Sequence, residues 1–168
     1  MSNSPQRLRE IIDSVELSGV RLRELVASGS PPKGKVPITS VDVGHSARVI
    51  DKTAEGFDVA AEVRVRAVSA AGPRSGGGSR RPLTMLSVRA TFELHYRLPK
   101  IDQFSMRDLS RFSNVNGVYN AWPYWRELIQ NVSVRMGLPP LILPVFRISR
   151  PRNQNGGLRT TSARQEKR

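Results

Sequence analysis

Two histidines, His45 and His95, are the residues of this chain best suited to proton transfer or metal ligation near neutral pH. Each lies in a segment of alternating polarity. Neither neighbours a carboxylate-and-serine constellation of hydrolytic spacing, so both read as packed or solvated strand residues. The absence of cysteine excludes disulfides, thiolate zinc sites and cysteine nucleophiles together. Two histidines without a clustered Asp/Glu pattern make a poor metal centre. The Gly76-Gly77-Gly78 run would cradle phosphate between a strand and a helix, but it lies in a Gly/Ser/Arg loop. The expectation is a non-enzyme with no catalytic, cofactor-binding or metal-binding residues.

The chemistry the chain does offer is apolar. The stretch from Asn120 to Phe146, NAWPYWRELIQNVSVRMGLPPLILPVF, holds both tryptophans. Trp122, Trp125, Leu128, Ile129, Val132 and Met136 recur at three- and four-residue spacing, which predicts one apolar helix face, core or subunit interface. Tyr124, Glu127, Asn131 and Arg135 fall opposite. Asn120 is a good N-cap type, Pro123 suits a first turn, and Gly137 suits a left-handed C-terminal position. Beyond it, Leu141, Leu143 and Val145 alternate with Ile142, Pro144 and Phe146, so the strip is apolar on both sides. Such a strip exposes one side unless an oligomer buries it.

The elements that must position this stretch are strands. Ser4-Pro5 followed by Leu8, Ile11, Ile12 and Val15 predicts a short helix. Val15, Leu17, Val20 and Leu22 then alternate, with a phase slip at Ser18-Gly19 that marks a β-bulge at Gly19. Ser28–Pro37 reads as a loop. Val41, Val43, Ala47 and Val49 alternate around His45. Phe57 to Ala67 and Leu86 to Leu98 are cleaner still, with strict period two and one wet face each. The segment 71–82 is a loop. Ser105 caps a short helix through Met106, Leu109 and Phe112, and Asn114 to Gly117 break it. The fold class is therefore α+β: a four-stranded antiparallel sheet followed by a short and a long helix.

Length and charge bound the rest. The 168 residues allow one domain, 1–149, with a basic tail, 150–168, that is expected to be disordered. Its modest core favours self-association. The net charge of +13 comes mostly from that tail, from Arg74, Arg80 and Arg81, and from Lys33 and Lys35, which leaves the body near neutral. The basic residues lie in linkers, so a nucleic-acid partner is not favoured, although a tail-borne nucleic-acid module or an adaptor protein stays open as an alternative. No apolar run approaches the ~20 residues of a membrane span. The N-terminal residues lack a signal peptide's apolar core, so a cytoplasmic protein is expected.

The stretch from Trp122 to Leu141 resembles the SecB family of export chaperones and its SecB-like relatives. Trp122, Pro123, Tyr124, Trp125, Arg126 and Glu127 match the family's aromatic-Pro-Tyr-x-Arg-Glu helix start. Arg135, Pro139 and Leu141 match its Arg-x-x-x-Pro-x-Leu end. The resemblance implies a homotetramer built as a dimer of dimers, with the long helices at the interface. It also implies an ATP-independent holdase with a groove for unfolded polypeptide between the loop after this helix, the first inter-strand loop and the sheet. Carried to this chain, the client-binding candidates are Leu138, Pro139, Leu141, Ile142 and Leu143, with Val145 and Phe146 completing the strip, beside the Ser28–Pro37 loop. Clients implied by the family are exported proteins or a dedicated antitoxin of a toxin–antitoxin pair. The export chaperone hands clients to the translocase ATPase through an acidic surface. This basic chain has no such pattern, which argues against that ATPase as a partner.

Overall fold

A computed structural model describes residues 4–30, 36–70 and 82–146. Helix α1 (Ser4–Ser14) leads into strands β1 (Glu16–Ser28), β2 (Ser40–Lys52), β3 (Gly56–Ser69) and β4 (Leu83–Arg97). A 3-10 turn at Ile101–Gln103, helix α2 (Met106–Phe112), a π-helical segment at Ser113–Gly117 and helix α3 (Val118–Arg135) complete the order. The sheet has four strands, antiparallel throughout as the sequence predicts, and their order is β1-β4-β3-β2. The residues of the Ser28–Pro37 loop at 31–35, most of the 71–82 loop and the tail from residue 147 lie outside the described residues.

Period two dictates the layers. Phe57, Val59, Ala61, Val63, Val65 and Ala67 of β3 and Leu86, Val88, Ala90, Phe92, Leu94 and Tyr96 of β4 are all buried on the helix-bearing side. Cross-strand pairs such as Val59 with Leu94 and Ala61 with Phe92 form the centre of the core. The expected bulge in β1 is present: the register slips between Leu17 and Gly19, with Ser18 the extra residue. A second slip lies between Leu22 and Glu24. Together they keep Leu17, Leu22 and Leu25 on the helix side, where all three stay exposed because α3 covers the sheet only in part.

The helices depart from expectation at one point. The Ser105 cap is present as a capping box with Asp108. The expected break at Asn114 to Gly117 is instead a π turn that joins α2 to α3 without leaving the right-handed helical region. The wider turn opens a five-residue step in the buried stripe, from Phe112 and Ser113 to Gly117 and Val118. The stripe then continues through Ala121, Trp122, Trp125, Ile129 and Val132. Gly117 serves close approach rather than chain reversal, because a Cβ there would lie 3.2 Å from Val59 Cγ1 and 3.5 Å from Ala47 Cβ. Asn120 is consequently not an N-cap, and Pro123 is inside the helix instead of in a first turn. The Asn120 amide donates to the Tyr96 hydroxyl at 3.0 Å, and burial pushes the Tyr96 phenol up to about 12.

Candidate apolar binding site

The strip after α3 is positioned by its own backbone. Gly137 has φ 75°; its N–H donates to Val134 O and that of Leu138 to Ser133 O, both at 3.0 Å. This is the Schellman arrangement, and it turns the chain back along the helix. The Leu141 N–H then donates to Ser133 Oγ at 2.9 Å. The Trp122 indole N–H donates to the Pro144 carbonyl at 2.8 Å. Two bonds from one helix thus pin an otherwise irregular nine-residue strip.

Burial along the strip does not alternate cleanly, because these two bonds and not a sheet ladder set its orientation. Leu138 and Leu143 are buried, Leu143 to 1% exposure, and anchor the strip to the core. Leu141 and Phe146 are half-buried, whereas Pro139 is exposed. Ile142 and Val145 stand out at 63% and 67% exposed. The expected candidates therefore divide into anchors facing inward and two large aliphatic side chains facing water. Of the helix residues, Trp125 and Ile129 are fully buried, Trp122 and Val132 nearly so, and Leu128 and Met136 half-buried against the same core.

Around the strip's end lies an aromatic cluster that sequence reasoning missed. Phe146 packs on Trp122 at 5.0 Å between ring centroids. His45 of β2 meets Phe146 edge-on at 5.3 Å and Trp122 at 5.9 Å. His45 keeps one side exposed to water, and partial desolvation against these rings lowers its pKa, which favours the neutral imidazole. Val145 and Phe146 also border a groove of about 370 Å³ beside the start of α3, with Leu17, Tyr119, Asn120, Trp122, Pro123, Tyr124 and Arg126. Sequence spacing places Tyr124 on the polar side of the helix, and only the tertiary course of the strip reveals that it shares a groove with Val145. Val36 and Ile38 before β2 and Val41 and Val43 on it are half-buried aliphatics against the core.

His95 is neither isolated nor simply solvated. On the open face of the sheet its Nδ1 lies 2.8 Å from Asp58 Oδ1, and Glu93 joins them with ligand atoms all within 4.8 Å. Carboxylates are thus clustered around this histidine: strand pairing brings Asp58, and period two on β4 sets Glu93 on the same face. Glu93 Oε1 accepts from Arg21 Nη2 at 3.0 Å, and Arg23 lies 3.6 Å from Oε2. The group is a charge network whose members already hold partners. The arrangement at the strip, by contrast, offers contact surface and no reactive group: it can bind apolar side chains.

No family model matches the sequence, and no curated protein does. Among solved structures the chain is similar to a Mycobacterium tuberculosis SecB-like chaperone, Rv1957, in complex with a ChAD peptide from the Rv1956 HigA1 antitoxin. The TM-score is 0.66 at 18% identity, over 88% of this chain and 99% of that chain. A protein of unknown function from Streptococcus agalactiae aligns over 77% of this chain and 96% of that one at 9% identity, but with a TM-score of 0.37. The fold is SecB-like. It is the α+β class the strand pattern predicts, and it agrees with the resemblance carried by the Trp122–Leu141 motif.

Proposed function

We propose that this protein is a molecular chaperone of the holdase type, which binds unfolded polypeptide on the strip Leu138–Phe146 without nucleotide. The observation that carries the reading is the division of the strip, where anchored Leu138 and Leu143 present Ile142 and Val145 to solvent at 63% and 67% exposure. An apolar surface with few hydrogen-bond demands accepts many side chains and selects none sharply. Burying about five client side chains at roughly 1.5–3 kcal/mol each offers about 7–15 kcal/mol gross, against on the order of 2–5 kcal/mol to order the chain. A species that binds only unfolded chain holds it by mass action, so no ATP is needed.

The fold neighbour's bound antitoxin peptide supports a polypeptide client and favours a dedicated one over general export. The exposed Leu17, Leu22, Leu25, Tyr119 and Tyr124 favour self-association, in the tetramer that the resemblance implies, within a cytoplasmic compartment. In this reading residues 1–149 form the chaperone domain and 150–168 an accessory basic tail. The test is aggregation of a slow-folding protein followed by light scattering with no nucleotide present. Suppression at near-stoichiometric ratio is expected. No suppression of that client, or of a co-purifying one, at several-fold excess would overturn the proposal.

A further inference from the structure

The face of the sheet opposite the helices carries a second feature, and no described element covers it. Strand register sets Gly44, Arg64, Arg89 and Val26 abreast across all four strands, and Asp42, Arg66, Ser87 and Ser28 abreast in the next row. Arg64 and Arg89 are thus directly opposite like charges, an arrangement that favours a counter-anion. Gly44 has open space where a Cβ would sit, and the serines are short. A concavity of about 690 Å³ results, with three guanidinium groups on it and Asp42 as the acid in its lining.

These arginines retain donor capacity. Arg66 Nε and Nη2 donate to the neutral Thr84 hydroxyl at 3.3 and 3.0 Å. The carboxylate of Glu24 lies 3.6 Å from Arg89, beyond a good hydrogen bond. Arg64 holds Glu62 through Nε alone, at 2.6 Å. A guanidinium has five N–H donors and takes planar carboxylates two bonds at a time.

We infer that this face docks an acidic polypeptide segment in extended form, with one carboxylate received by Arg66 and the next alternate one by the Arg64–Arg89 pair. Alternate residues of an extended chain repeat at about 6.6 Å, the same interval that separates Arg64 from Arg66 along β3. Nucleic acid fits less well. The adjoining row of Ser46, Glu62, Thr91 and Glu24 holds two carboxylates that confine an acidic stretch to the Arg64 and Arg66 rows, a length that a short peptide segment matches and a continuous phosphate backbone overruns. The described residues of this face offer no Phe, Tyr or Trp ring for base stacking. The site lies on the other side of the sheet from the strip, so it is independent of the client reading and both can be filled at once.

The experiment titrates the full chain into a fluorescein-labelled peptide of alternating Glu and Thr at physiological ionic strength, with an alternating Gln and Thr peptide as control. Arg64→Gln/Arg89→Gln removes two receiving groups, and Ser87→Glu leaves the arginines but fills the concavity from within. Arg159→Gln/Arg164→Gln removes the same net charge from the tail. Both face variants are expected to weaken the acidic peptide at least about tenfold, and the tail variant less than about twofold. Equal loss from face and tail variants would reduce the binding to net charge and overturn the inference, as would failure to prefer Glu over Gln. A labelled oligothymidylate that binds more tightly, and with the same dependence on Arg64 and Arg89, would overturn it in favour of nucleic acid.

Discussion

The Trp122 indole N–H reaches the Pro144 carbonyl at 2.8 Å, across twenty-two residues of chain, and fixes where the apolar strip ends. Trp122 also carries the rings of Phe146 and His45, so one helix residue joins the strip to the sheet edge. Trp122→Phe keeps a ring but removes the donor. The expected cost is about 1 kcal/mol in urea denaturation, with faster amide exchange at Val145 and Phe146. Unchanged exchange there would show that the strip is held by packing alone.

Anchors and contact residues should separate under truncation. Leu143→Ala empties a fully enclosed site and is expected to cost about 2–5 kcal/mol, whereas Ile142→Ala, its exposed neighbour, is expected to stay within about 0.5 kcal/mol. Chemical denaturation of the two variants checks this, and equal costs would contradict the orientation of the strip.

His45 gives a pH signature. Burial lowers its pKa below the ordinary 6.5, so the unfolded chain takes up the proton first. Its contribution to stability is complete above about pH 6.5 and declines as the pH falls through that value, until the folded imidazole also protonates. Stability measured between about pH 7.5 and 5 should therefore fall more steeply for the wild type than for His45→Gln. Parallel curves would place His45 in water rather than on the rings.

Gly56 opens β3 in close contact with β4, where a Cβ would collide with the Tyr96 carbonyl oxygen. Gly56→Ala is expected to destabilise by about 2 kcal/mol or more, since the obstacle is backbone and cannot swing aside. A smaller thermal shift than such a loss implies would mean that the turn at Thr53 to Gly56 relocates freely.

Much of the fold was legible because strands reveal themselves by period two. Phe57 to Ala67 and Leu86 to Leu98 showed which side faces the core before any partner strand was known. The α2–α3 junction was not legible. Asn114 to Gly117 carry the local signature of a break, yet the absence of a side chain at Gly117 answers a tertiary demand from Val59 and Ala47. For the strip, the apolar character of both sides was visible in sequence, but the inward side depends on Ser133 and Trp122 hydrogen bonds that no spacing rule encodes. Glu93 stands two residues from His95 and was legible on its face of β4, but Asp58 reaches His95 through strand register, and the rings reach His45 through chain return, which a single sequence shows only after the strands are paired.

The proposed function rests on Ile142 and Val145 gripping unfolded chain. The most direct measurement is calorimetric titration of a permanently unfolded, chemically modified protein into the wild type and into Ile142→Asp/Val145→Asp, with oligomeric state and melting temperature recorded for both. Binding by the wild type is expected, with a loss of at least about tenfold in the variant and with assembly and stability unchanged. Equal affinity for the two proteins would contradict it and move the client surface away from this strip.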